Sequence, residues 1–257
     1  MKFQLPLLDE LAMNYKQVLV FDCEFWHVLN KEGDDKLFLQ PNTDFFFIPR
    51  EIGGFLLKKE KEKWSLTKPF FVTLDKQKRE TVLPISKFST VTKETAEKLN
   101  VIETKLGKAW GDAFYSRLDE DGKKAYDEGI QIYKNDSNIK KHHKSYSWYS
   151  KFLEIYSNSL IIVKGLGDIE ALKNICILHN IPYKEPLEII DIAEWNQESK
   201  RLCNTAKLAG TFDCIKKYLD KETRKLADSL PLEKEHDPST DASMTLLVAL
   251  YIQSQKP

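Results

Sequence analysis

Gln17-Val18-Leu19-Val20-Phe21-Asp22-Cys23-Glu24-Phe25 is an apolar, β-branched run that ends in acids, the pattern of a buried strand whose far end reaches a functional edge. On a strand, side chains alternate between faces, so Asp22 and Glu24 share one face and Cys23 points to the other. Two carboxylates therefore converge. The Asp-x-Glu pattern alone is weak, because it recurs at Asp168-Ile169-Glu170 and Asp220-Lys221-Glu222. The strand context singles out the first copy.

Downstream, residues 45–57 and 64–73 read as two more strands, joined by the polar turn Lys58-Lys59-Glu60-Lys61-Glu62-Lys63 and paired as a hairpin. From about Thr92 to Tyr156 the periodicity becomes helical, with Leu99, Ile102, Leu106 and Trp110 sharing a face. Ser159 to Lys164 and Leu187 to Asp191 are short continuous apolar runs, suited to buried parallel strands. Asp237-Pro238-Ser239 opens a capped, strongly apolar helix that runs to Ile252 and is expected to pack on the sheet. This order implies an α/β layer protein with a mixed five-stranded sheet flanked by helices.

At 257 residues, one domain with a sizeable insertion and two small domains fit equally well. No apolar run approaches the ~20 residues of a membrane span. Asp9 and Glu10 follow an amino terminus with no secretory-type apolar segment, so a water-soluble, intracellular protein is expected. Cys23, Cys176, Cys203 and Cys214 form no C-x-x-C pair, which argues against a zinc knuckle or a disulfide framework and for buried free thiols. The 39 basic and 39 acidic residues balance, so any polyanion site must come from local clustering. Lys58 to Lys63, Lys140-Lys141-His142-His143-Lys144 and Lys216 to Lys225 are such clusters, each of which also reads as a solvated face.

Three further residues carry chemistry in context. Asp168 follows the run 160–163 through Lys164-Gly165-Leu166-Gly167, a tight turn that places its carboxylate near the strand ends, where sites of open α/β sheets collect. The alternative is a plain helix N-cap. Asp241 lies in the first turn of the last helix, where the dipole alone would favour it. His236 stands five residues earlier, at a spacing no other histidine has to an aspartate; a surface or core role is its alternative.

Taken together, these pieces resemble the DEDD exonuclease superfamily in its histidine-bearing DEDDh branch. Phe21-Asp22-Cys23-Glu24 is similar to the first motif, Lys164-Gly165-Leu166-Gly167-Asp168 to a variant of the second, and His236-Asp237-Pro238-Ser239-Thr240-Asp241-Ala242 to the third. Glu51-Ile52-Gly53-Gly54-Phe55 and Ile190-Asp191-Ile192 resemble the family's neighbouring strands, and Thr245 stands where it often has threonine. The resemblance implies a ribonuclease H-like fold, a single domain over residues 1–257 with a helical insertion at about 106–145, and 3′→5′ exonuclease activity on RNA or DNA.

It also implies two Mg²⁺ or Mn²⁺ ions, with Asp22, Glu24 and Asp241 at the water-activating ion, Asp22 and Asp168 at the other, and His236 as general base. Hard oxygen donors with few protein ligands suit those ions. A histidine base among carboxylates predicts an optimum somewhat above neutral pH.

Two departures from the family bear on substrate. Phe25-Trp26-His27 follow Glu24 where the family has small residues, which reads either as a stacking surface for the 3′ base or as a core pair. The second motif offers Lys164 in place of its usual asparagine-rich form, a candidate substrate contact. Lys140 to Lys144 beside Tyr146, Trp148 and Tyr149 would suit single-stranded nucleic acid or a 3′ overhang, with a helical cap or dimer surface as the alternatives. A ribonuclease H-like endonuclease and a non-catalytic nucleic-acid-binding module with this fold are the rival functions.

Overall fold

A computed structural model describes residues 2–29, 33–40, 45–73, 120, 146–232 and 237–256. The run 17–25 is the middle of the sheet, within β2 (Gln17–Leu29). It pairs antiparallel with β3 (Phe45–Glu60) and parallel with β6 (Leu160–Val163), which pairs parallel with β7 (Glu188–Asp191). The sheet is mixed and open, and helices cover both faces.

Among the described residues it has seven strands where five were expected, and the difference has two causes. The predicted strand 64–73 is split into β4 (Lys63–Leu66) and β5 (Phe70–Thr73), which pair with successive lengths of β3. Pro69, with no N–H to give the ladder, stands at the break. A two-residue β1 (Lys2–Phe3) adds itself to the edge beside β4. The hairpin between β3 and β4 is present, with a turn of only Lys61-Glu62 because both strands run into the lysine-rich segment.

Alternation along β2 builds two cores. Leu19, Phe21 and Cys23 join Ile52, Leu56, Ile161 and Val163 beneath α2 (Tyr146–Ser157) and α3 (Gly167–His179), whose Phe152, Tyr156, Leu172 and Ile175 fill that layer. Val18 and Val20 join Phe55, Leu57, Leu160 and Ile162 on the opposite face. There the sheet meets α1 (Pro6–Ala12), α5 (Leu208–Ile215), α6 (Lys221–Ala227) and α7 (Pro238–Ser254). α7 is buried around nearly its whole circumference, because it packs on the sheet with one side and on α1 and α5 with others.

Burial corrects three further expectations. β7 is half-exposed, as the edge strand of the sheet. Tyr149 is 1% exposed within the α2 layer, so it is a core residue and offers no stacking surface. Cys203 and Cys214 form a disulfide between α4 (Asn196–Cys203) and α5, with Cα atoms 5.8 Å apart, while Cys23 and Cys176 are buried free thiols as expected. A helix hairpin closes that pair, and no sequence motif announces it. The proposed insertion lies outside the described residues apart from Glu120, as does the run Lys140–Lys144. Among the described residues, no helix is long and apolar enough to cross a membrane.

Candidate functional site

The acids meet where β2 outruns its partner. The parallel register with β6 is Val18↔Leu160, Leu19↔Ile161 and Val20↔Ile162, and beyond it, among the described residues, β2 continues along β3 alone. Asp22 and Glu24 lie on this extension, opposite Gly53 and Glu51. An irregularity follows at Glu24/Phe25, where Phe25 pairs with Pro49 and Arg50 is the extra residue on β3. Such a bulge bends a strand beside a site.

α7 delivers Asp241 to this face. Asp237 caps the helix, its Oδ1 accepting from the backbone N–H groups of Ser239 at 3.0 Å and Thr240 at 3.3 Å. Pro238 follows at the first helical position. Ser239 Oγ donates to the Phe70 carbonyl on β5 at 3.0 Å, and Ser243 Oγ donates to the Ser239 carbonyl at 2.7 Å. The helix end rests on Gly53, where a Cβ would come within 2.8 Å of the Pro238 carbonyl carbon. Only a glycine admits the helix this closely. The result is a cluster in which one carboxylate oxygen each from Asp22, Glu24 and Asp241 lies within 4.8 Å of the others.

Asp168 arrives from the other layer, in the first turn of α3. It is not the helix cap, a position taken by Leu166. Its Oδ1 instead accepts the backbone N–H of Cys23 at 2.9 Å, the group that a longer β6 would have paired. Asp168 is 4% exposed. The turn before it is held by Asp191, whose Oδ1 accepts from Gly165 N at 2.6 Å and Ala193 N at 2.8 Å; Gly165 takes the left-handed φ of +101°.

Charge ties the four acids together. Burial, then the charges of Asp168, Asp241 and Glu24, hold Asp22 well above the usual carboxylate range. Burial pushes Asp168 up to about 8, with Glu24 and Asp191 adding and the Cys23 amide and thiol opposing. Hard oxygen donors crowded until one resists ionisation are the donor set that a Mg²⁺ or Mn²⁺ ion fits, since its charge relieves the repulsion.

The other sequence-predicted residues fare differently. His236 and the side chain of Trp26 lie outside the described residues. Phe25 packs, partly buried, against the α2–α3 core and stacks on Phe47, with centroids 4.7 Å apart and planes 7° from parallel. Lys164 donates to Asn196 Oδ1 at 3.1 Å, and burial lowers its pKa against the pull of Asp191. Sequence reasoning missed the Cys23 amide, the Asp191 clamp and the spacer role of Gly53. Adjacent glycines inside a strand were the available signal for the last.

No protein-family model matches the sequence, and no curated protein matches it either.

Proposed function

We propose that the chain is a metal-dependent 3′→5′ exonuclease with a ribonuclease H-like fold and that Asp22, Glu24, Asp168 and Asp241 are its cation ligands. The observation that carries the proposal is the meeting of Asp22, Glu24 and Asp241 within 4.8 Å, from a strand and a helix far apart in sequence, with the charge of Asp168 against Asp22. Asp22, which feels both Asp168 and Asp241, would be shared between two ions, with Glu24 and Asp241 completing one place and Asp168 the other. When bound, Mg²⁺ or Mn²⁺ would supply a lowered water pKa and neutralisation of charge on the phosphate oxygens. His236 would take the proton of the attacking water. The substrate would be a single strand or 3′ overhang of RNA or DNA.

The test is a ladder assay on 5′-labelled RNA, single-stranded DNA and duplexes with Mg²⁺ or Mn²⁺, using a blocked 3′ end and Asp22→Asn as controls. The expected outcome is stepwise shortening from the free 3′ end that the block and the substitution both stop. Internal cuts would make the protein an endonuclease. Cleavage surviving Asp22→Asn would reject the site, and binding without cleavage would leave a non-catalytic module.

A further inference from the structure

Lys164 is the first residue past β6, in the turn that carries Asp168 into α3. The last register pair between β2 and β6 is Val20↔Ile162, so Asp22 and Lys164 each stand two positions beyond it on neighbouring lengths of chain. A positive charge is thereby set at the end of the sheet where the acids gather.

The ammonium group is half-buried and held, yet it is not neutralised. Its Nζ donates to Asn196 Oδ1, at the start of α4, at 3.1 Å. That partner is a neutral amide, and among the described residues no ion pair joins Lys164 to a carboxylate. Asp191, the acid whose charge acts on it, commits its Oδ1 to the backbone N–H groups of Gly165 and Ala193. An ammonium carries three donors, and among the described residues Asn196 is the one acceptor that takes any of them. A half-buried cation costs free energy unless an anion or further acceptors reach it. Two donors and a full charge are left for a ligand, with their direction fixed by Asn196.

The rest of the site decides which anion would come. The four acids repel a polyanion, and a chain with 39 basic and 39 acidic residues has no net charge to draw one in. Strand binding therefore depends on local cations. We propose that Lys164 binds a phosphate of the substrate strand beside the reaction centre, with Asn196 as the positioning residue that aims its ammonium group. The inference rests on the exonuclease reading for the substrate class, a single-stranded nucleic acid. The Lys164–Asn196 contact does not depend on that reading.

The experiment measures binding of a 5′-labelled, 3′-blocked single strand of DNA or RNA to the full-length chain with Mn²⁺, by fluorescence anisotropy over a series of salt concentrations. The blocked end keeps the strand intact while affinity is read. Lys164→Gln offers Asn196 a neutral donor but removes the charge, and should weaken binding roughly 10-fold or more at low salt, the loss of a hydrogen bond to a charged group. It should also flatten the dependence of log K on log salt by about 0.7, the contribution of one phosphate contact on a single strand. Lys164→Arg should keep the wild-type slope. Asn196→Ala should keep it too, since the charge remains, and weaken binding less than Lys164→Gln. A contact that only ties α4 to the sheet would lower the melting temperatures of Lys164→Gln and Asn196→Ala and leave the salt slope at its wild-type value. That unchanged slope in Lys164→Gln would overturn the proposal, as would a wild type that binds no strand. Where Lys164→Gln does not fold, Lys164→Met takes its place. Wild type that binds the blocked strand yet shortens no unblocked one would refute the exonuclease reading, and the slopes would still decide whether Lys164 holds a phosphate.

Discussion

Two helices bring an acid to the same strand from opposite sides of the sheet, and they do so by different physics. α7 is placed by what is missing: Gly53 has no side chain, so the capped helix end lies on β3 and Asp241 follows. α3 is placed by its core residues, and its acid is fixed by a hydrogen bond to the Cys23 amide. Asp241 is therefore sensitive to added volume beneath the helix, and Asp168 to lost donors on β2.

The largest expected effect concerns what the two acids share. Under the proposed function, Asp241→Asn and Asp168→Asn should each lower the cleavage rate by roughly 10²–10³-fold, the usual loss when one electrostatic group of a reaction centre is removed. Rates measured at saturating Mn²⁺ check this. An unaffected Asp168→Asn would confine the chemistry to the cluster of three.

Next comes a contrast between two glycines. Gly53→Ala forces a methyl group against the backbone of Pro238 and Ser239 and should cost about 1–3 kcal/mol, the range for overpacking. At the start of α3, a Cβ on Gly167 would meet the Phe25 ring at 3.7 Å and the Phe47 ring at 3.9 Å, both ordinary contacts. Gly167→Ala should thus change stability by less than about 0.5 kcal/mol. Denaturant unfolding of both variants decides it, and equal costs would show that α7 is not held by close approach.

Much of this arrangement was legible beforehand because it follows from period and chemistry. β2, β6 and β7 are apolar runs, α7 carries its cap and proline in sequence, and alternation alone puts Asp22 beside Glu24. Other features come from geometry that no local pattern encodes. β1 is two residues long and exists through pairing with Ser65 and Trp64. The Cys203–Cys214 bond depends on how α4 turns into α5. The Cys23 amide meets a carboxylate 145 residues away only because β6 stops short of β2.

Proton binding should follow the crowding of the acids. Folded-state pKa values of Asp168, raised to about 8, and of Asp22, raised well above its usual value, mean that the folded protein binds more protons than the unfolded chain across this window. Stability of the metal-free protein should therefore fall as pH rises from about 4 to about 8, and Mn²⁺ should restore it at the upper end. Thermal melts across that range with a chelator and with Mn²⁺ give the check. A metal-free melting temperature that rises steadily through the window would contradict the crowding.

A smaller effect probes the cap of α7. Asp237 accepts two of the helix's free N–H groups, and Asp237→Ala should cost about 1 kcal/mol, or roughly 2–4 °C in melting temperature for a chain of this size. Asp237→Asn keeps an accepting oxygen and should cost less. Fraying of that first turn moves Asp241 but leaves the Cys23–Asp168 bond alone, since that bond lies on the other layer. Under the proposed two-ion site, Asp237→Ala should weaken only the Mn²⁺ place that uses Asp241, and Asp168→Asn only the other place. If either substitution weakens both places equally, the two acids are positioned as one unit, and the separation between the helices is one of description alone.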